Sequence, residues 1–379
     1  MNPLYVNTHF APDYSYGGVV ESSSKIHKYV GRLLPFYCIA VSSDPNRVNK
    51  YLGNAGICYK SVLLHRFGFS LDLIFPLWRL IKYHDLIIIN GIFTFPVTLA
   101  QIYSCILRKK FIVSIRGGLE PWRLNHKKLR KAIFNKLVTF PLLRRATFIH
   151  VTSVDEAKHV SALGFKNTKL ISNGIDSELF VDFIPKSRKY FPDSVFVFLF
   201  LSRTDKEKGL DILLHAYEKF CNINNLKPNG AFALAIVGPD HQGYLSKLKI
   251  DYAKKNIIRI PGVYGAEKMQ IIYESSCVIL PSYSENFGNI IAEGMAMAKP
   301  VITTTGTPWS ILKEKNLGYY VEPTENDILA AMQSVYHLSN EARELLGIRA
   351  KEFIIGDMSW SSKANDFSDL FKQALTTQS

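Results

Sequence analysis

Val195-Phe196-Val197-Phe198-Leu199-Phe200-Leu201 is an unbroken apolar run of β-branched, aromatic and leucine side chains. It is too short for a globular helix. A strand that does not alternate polar with apolar is buried on both faces, as in a parallel sheet covered by helices. The polar string Ser202-Arg203-Thr204-Asp205-Lys206-Glu207-Lys208 follows, and a helical pattern starts near Gly209. Toward the C-terminus the signal recurs at Phe232–Val237, Ile257–Ile260, Val278–Leu280 and Val301–Thr303. Helical stretches fall near Leu245–Lys254, Ala266–Ser275, Asn289–Ala298, Glu325–Leu338 and Glu341–Phe353.

Toward the N-terminus the same alternation appears once more. Leu4–Asn7, Phe36–Val41, Leu86–Asn90, Phe111–Ile115 and Phe148–Thr152 read as buried strands. Val19–Val30, Leu71–Tyr83, Pro96–Leu107 and Leu124–Leu143 read as helices between them. Two series of alternating strand and helix predict an α/β chain with two Rossmann-like, doubly wound domains. The turn-rich stretch from Asn173-Gly174-Ile175-Asp176 to Pro185-Lys186-Ser187 separates the series. The expected division is 1–180, 190–356 and a terminal amphipathic helix within 357–379. Ligands of such sheets bind beyond the carboxyl ends of the strands, so the chemistry belongs in the loops that follow strands.

With 379 residues, 47% hydrophobic and 21% charged, the composition excludes disordered and collagenous classes. The five cysteines are scattered without a CxxC pair, which argues against a disulfide framework or a zinc site. The start, Met1-Asn2-Pro3-Leu4-Tyr5, lacks the pattern of a signal peptide, and a cytoplasmic location is expected. Leu86–Leu107 contains no charge and is long enough for a membrane span. Asn90-Gly91 and Pro96 interrupt it, and strand, turn and helix explain it better. The net charge of +14 is concentrated: twelve Lys or Arg and one acid, Glu120, lie between Arg108 and Arg145. Within this stretch Leu124, Leu129, Ile133, Phe134, Leu137 and Val138 share a rough helical face with Lys127, Lys128, Arg130, Lys131 and Lys136. A basic amphipathic helix suits an anionic bilayer surface, and a core helix with solvated lysines is the equal alternative.

Pro281-Ser282-Tyr283-Ser284-Glu285-Asn286-Phe287-Gly288-Asn289-Ile290-Ile291-Ala292-Glu293 carries the strongest chemical signal. It leaves a strand and opens a helix. One carboxylate sits in the loop and another about a turn and a half into the helix, and both can point into one site. Phe287-Gly288-Asn289 offer the N–H groups of a helix N-terminus, which suit a diphosphate or a polarised hydroxyl. Carboxylates accept several hydrogen bonds at fixed angles and so suit sugar and ribose hydroxyls. Acidic residues favoured by the helix dipole are the plain alternative, but they do not account for the whole string. Arg203 and Lys208 occupy the corresponding loop after Val195–Leu201, where cations can neutralise a diphosphate leaving group without a metal ion.

Arg203 with Lys208, Glu285 with Glu293, and Met295-Ala296-Met297-Ala298-Lys299-Pro300-Val301-Ile302 resemble the C-terminal domain of retaining glycosyltransferases of family 4, of GT-B architecture. Gly17-Gly18 matches that family's N-terminal glycine pair, Asn173-Gly174-Ile175-Asp176 its interdomain string, and the Trp360 region its terminal helix, which crosses back onto the first domain. The resemblance implies two domains facing across a cleft, the first binding acceptor and the second nucleotide-sugar. It implies that Arg203 and Lys208 bind the donor diphosphate, Glu285 the transferred sugar, Glu293 the ribose diol, and the backbone of Val263, in Pro261-Gly262-Val263, the base. Asn286, Phe287, Gly288 and Asn289 complete the donor site, and Gly17 and Gly18 allow close approach to phosphates or acceptor.

The chain departs from many relatives at Ser114-Ile115-Arg116-Gly117-Gly118-Leu119-Glu120-Pro121-Trp122, which is similar to the Ser-Pro-Arg-Gly branch of polysaccharide enzymes. Arg116 takes the place of a histidine. A guanidinium is no base, so Arg116 is expected to bind a phosphate or carboxylate of donor or acceptor, with Gly117, Glu120 and Trp122 on the acceptor side. The donor phosphate is then expected to take the acceptor's proton, and His150 to be structural. The resemblance implies sugar transfer with retention, without cofactor or metal, to a polyprenyl-diphosphate-linked glycan at the inner face of a bacterial membrane, in O-antigen, capsule or exopolysaccharide synthesis. A nucleotide-sugar epimerase on the same architecture is the alternative. A nucleic-acid-binding protein ranks last, because it leaves the glutamate string unexplained.

Overall fold

A computed structural model describes residues 1–16, 18–62, 65, 67–119, 133–224, 232–240, 243–248, 256–285 and 287–377. The chain divides into two compact units: residues 1–174 with 360–379, and residues 175–359.

The first unit is built on a parallel sheet of β1 (Pro3–Asn7), β2 (Tyr37–Ser42), β3 (Gly56–Lys60), β4 (Leu86–Asn90), β5 (Lys110–Ser114), β6 (Phe148–Val151) and β7 (Thr168–Leu170). Its order is β3-β2-β1-β4-β5-β6-β7. The order reverses direction between β1 and β4, whose register pairs Tyr5 with Ile88 and Asn7 with Asn90. β1 and β4 are buried along their whole length, which is why their sequences run apolar rather than alternating. Apolar side chains fill both faces. Val6, Leu77, Ile89, Val97 and Val113 form one core cluster, and Tyr5, Phe36, Ile88, Trp360, Phe367 and Phe371 form the other. The latter includes the helix Trp360–Thr376, whose Phe371 ring meets Phe36 edge-on at 6.5 Å.

The second unit repeats the plan. β8 (Phe196–Leu201), β9 (Phe232–Val237), β10 (Ile257–Ile260), β11 (Cys277–Leu280), β12 (Val301–Thr304) and β13 (Tyr319–Val321) form a parallel sheet of order β10-β9-β8-β11-β12-β13. It reverses between β8 and β11. Both sheets are doubly wound, and in such sheets the reversal point opens a crevice at the carboxyl ends of the strands.

The structure differs from the sequence reading at the sheet edges. β3, β7 and β13 were not expected; each lies at a sheet end with one neighbour, so it needs little apolar surface, and β7 is the polar triplet Thr-Lys-Leu. Helix ends move by a few residues: Gly18–Leu33, Ile74–Tyr83, Phe95–Ile106 and Asn289–Ala296 are observed. Leu86–Leu107 resolves into strand, turn and helix, and no helix among the described residues is long and apolar enough to cross a membrane. The expected helix Leu124–Leu143 lies partly outside the described residues. Its described remainder holds a π-type turn, Asn135–Thr139, and a short helix, Phe140–Leu143. Of Leu245–Lys254, a helix is described over Tyr244–Lys247.

Candidate functional site

At the reversal point of the second sheet, the loop after β8 meets the loop after β11. Lys208 ends a short turn, Lys206–Lys208, and Gly209 then starts the helix Leu210–Ile223 in the left-handed region at φ 66°. A Cβ on Gly209 would sit 2.0 Å from the Pro281 carbonyl oxygen, so a glycine lets the two loops touch. Tyr283 N–H donates to the Glu207 carbonyl at 2.9 Å, and Glu285 N–H to that of Gly306 at 2.7 Å. These bonds tie the loops after β8, β11 and β12 together. The result is a direct ion pair between Lys208 Nζ and Glu285, whose side chains are only 10% and 16% exposed. The two residues are 77 apart in sequence. Removing one partner from so enclosed a pair would leave an uncompensated charge, so the pair is a matched unit.

Phe287, Gly288 and Asn289 follow. Gly288 is left-handed at φ 75° and precedes the first turn of Asn289–Ala296. Phe287 is buried, its carbonyl accepts from Trp309 Nε1, and its ring lies 5.1 Å from the Trp309 ring. The turn that opens the helix is therefore pinned by packing. Glu293 lies in the same helix, 8% exposed, paired with Lys268 of the helix Gly265–Glu274. Val263 is half-buried against the core just before that helix, beyond β10. Arg203 is placed differently: its side chain is 48% exposed and pairs with Asp205 at 3.2 Å. The structure thus joins Lys208 to Glu285 directly, sets Glu293 with Lys268, and leaves Arg203 half in solvent on the loop after β8.

The first unit carries a second polar centre at its own reversal point. Arg116, after β5, is 5% exposed and has a left-handed backbone, φ 50°, a conformation that costs a non-glycine residue about 1–3 kcal/mol. Its Nε donates to Asn90 Oδ1 at 3.0 Å and its Nη1 to Asn173 Oδ1 at 2.7 Å. Asn90 Nδ2 donates in turn to Asn7 Oδ1 at 2.9 Å. Burial pulls the guanidinium down from its ordinary value, while Tyr5 and Glu156 work against that. Two guanidinium nitrogens are thus held by amide oxygens inside the unit, while Nη2 is buried without a hydrogen-bond partner among the described residues. Gly117 N–H donates to Glu156 Oε1, and Glu156 Oε2 accepts from Thr152 N–H at 2.6 Å and Thr152 Oγ1 at 2.9 Å.

His150 is fully enclosed. The Ile171 carbonyl can only accept, so Nε2 carries the proton at 2.9 Å and Nδ1 accepts from Ser114 Oγ at 2.8 Å. Burial, reinforced by the nearby Arg116 charge, pulls this imidazole down to about 3. It is neutral at physiological pH, holds two strands to the segment after β7, and is not placed as a base. Gly18 begins the helix Gly18–Leu33 at an exposed position. Gly17, Asn286, Glu120 and Trp122 lie outside the described residues.

Lys268, Glu156, Asn90 and Asn173 belong to these centres and were not assigned from sequence. Ser153-Val154-Asp155-Glu156 carries a legible signal, the serine-to-glutamate spacing of a capping box; Ser153 Oγ accepts from Glu156 N–H at 3.1 Å. Asn90 was legible only as the polar end of β4. Among the described residues no group of three or more His, Cys, Asp or Glu could hold a metal ion.

Comparison with known proteins agrees on one family. The model described as Glycosyl transferases group 1 matches residues 184–353, and that described as Glycosyltransferase Family 4 matches residues 36–179. An uncharacterized glycosyltransferase of Methanocaldococcus jannaschii is 27% identical over 180 residues, 47% of this chain and 45% of that protein. A D-inositol 3-phosphate glycosyltransferase of Streptomyces griseus is 23% identical over 199 residues, 50% of this chain and 42% of that protein. The matched part thus spans about half the length of these curated relatives. In fold, the crystal structure of Anabaena HepE in complex with UDP and glucose matches with a TM-score of 0.73 at 16% identity, covering 98% of this chain and 100% of that one.

Proposed function

Because the chain belongs to the family 4 glycosyltransferases of GT-B fold with a group 1 C-terminal domain, we propose that it transfers a glycosyl unit, with retention, from a nucleoside-diphosphate sugar to an acceptor. The observation that carries this reading is the enclosed Lys208–Glu285 pair at the reversal point between β8 and β11. Lys208 is already charge-matched, so an incoming diphosphate can take over the ammonium and release the Glu285 carboxylate to the sugar hydroxyls. Arg203, half in solvent, supplies a second cation on the same loop. Together the two cations neutralise charge developing on the leaving diphosphate, without a metal ion or cofactor.

Glu293 takes the ribose diol, Val263 the base through its backbone, and the turn at Phe287–Asn289 offers its N–H groups. Neither Arg116 nor His150 is a competent base, so the leaving phosphate takes the acceptor's proton. A uridine nucleotide is the first donor to test, since the HepE structure holds UDP and glucose.

The acceptor in this reading is a lipid-linked glycan of bacterial surface polysaccharide synthesis, presented at the anionic inner leaflet. Support comes from the basic Arg108–Arg145 segment and from the exposed Phe75, Tyr83, Ile102, Ile106 and Leu137 of the first unit. The decisive assay incubates full-length protein with radiolabelled UDP-sugars and a polyprenyl-diphosphate-linked acceptor in phosphatidylglycerol vesicles. Label moving to lipid only when protein, donor and acceptor are all present supports the reading; a changed sugar without acceptor would replace it with epimerisation. Glu293→Ala should keep the fold and lose UDP binding, and unaltered UDP affinity refutes the ribose role.

A further inference from the structure

Glu293 and Lys268 are 25 residues apart and come from different helices, yet their side chains meet in an ion pair. Glu293 is nearly enclosed and Lys268 only partly so. The helix bearing Lys268 follows directly on the loop that contains Val263, beyond β10. Lys268 therefore stands between two elements assigned to the nucleoside, although no motif marks it. We propose that Lys268 is a positioning residue for the donor nucleoside: it holds the Glu293 carboxylate ionised and oriented for the ribose diol. This inference rests on the ribose role of Glu293 given above.

The chemistry favours a lysine acting through the glutamate. An enclosed carboxylate without a counter-charge tends to take up a proton, and burial drives that change. The acid form turns one acceptor oxygen into a donor, which no longer matches two hydroxyl donors. An ionised carboxylate has about four lone-pair sites, more than a single ammonium occupies. Hydrogen bonds from the diol to a charged carboxylate are also stronger than those to a neutral acid. The ammonium is a point charge on a flexible stem; it can follow the carboxylate as the nucleoside enters.

The test measures calorimetric binding of UDP and 2′-deoxy-UDP to full-length wild type, Lys268→Met, Lys268→Arg and Glu293→Ala, with GDP and 2′-deoxy-GDP in parallel. Wild type should prefer the ribonucleotide. Lys268→Met should weaken UDP by about tenfold, the weight of one charged hydrogen bond, and bring the ribose-to-deoxyribose ratio close to unity. Lys268→Arg should restore most of the preference. Equal weakening of both nucleotides, with the ratio kept, overturns the proposal, as does an unchanged ratio. Should Lys268→Met melt early, Lys268→Gln is read in the same way. If Glu293→Ala abolishes the preference and Lys268→Met keeps it, the Lys268 inference alone fails. If wild type has no preference and Glu293→Ala binds like wild type, the ribose reading itself fails.

Discussion

Replacing Arg116 by Met separates a brace from a substrate ligand. The guanidinium donates to Asn90 and Asn173 at 3.0 and 2.7 Å. Each bond from a charged donor contributes about 1.5–3 kcal/mol, so about 3–6 kcal/mol of gross interaction is lost. Part is recovered, because Met removes a cation that burial disfavours, and the left-handed backbone strain stays the same in either residue. A net loss of about 2–4 kcal/mol is expected, within the range for a broken buried network. Urea unfolding followed by circular dichroism reads it. With a slope near 2 kcal/mol per molar, the midpoint of the first unit falls by about 1–2 M. The second unit's transition and its UDP affinity stay in place, because Arg116, Asn90 and Asn173 all belong to the first unit. Arg116→Lys recovers only part, since one ammonium nitrogen lacks the planar spread of the guanidinium that reaches Asn90 and Asn173 from separate atoms. An Arg116→Met protein with the wild-type midpoint but no transfer activity refutes the brace and makes the guanidinium a substrate ligand.

Gly209→Ala adds a Cβ 2.0 Å from the Pro281 carbonyl at a left-handed position. It should cost about 2–3 kcal/mol and part Lys208 from Glu285; a variant with the melting temperature and UDP affinity of wild type would show that the loops do not need this close approach. His150 is held near 3 in the folded unit against about 6.5 unfolded. The unfolded chain thus binds the extra proton first: stability is full above pH 6.5 and falls by up to about 1.4 kcal/mol per unit as the pH drops toward 3. Between pH 6.5 and 4 the first unit's unfolding midpoint should decline more steeply in wild type than in His150→Gln, and parallel declines would contradict a neutral buried imidazole.

The central strands were legible because burial on both faces writes itself as a continuous apolar run, as in Leu86–Asn90 and Phe196–Leu201. β3, β7 and β13 were not, because a sheet end with one neighbour asks little of its side chains; β10, also at an end, was legible only because three of its four residues are isoleucine. The same asymmetry governs the functional centres. Lys208 and Glu285 could be placed together beforehand: each leaves a central strand, and the reversal of strand order brings neighbouring carboxyl ends to one point. Lys268 could not, because its link to Glu293 depends on the rotation of two helices about their axes, which no local spacing records. Arg116 marked a site but not its partners. A guanidinium after a strand reads as an anion ligand, and nothing local shows that Asn173, 57 residues away, takes one of its nitrogens while Nη2 stays without a hydrogen-bond partner among the described residues. Strand order thus predicts where chemistry gathers, while the choice of partner rests on helix packing. For that reason the nucleotide-binding consequences of Lys268, rather than those of the glutamate string, are the sharper test of how helix packing shapes the nucleoside site.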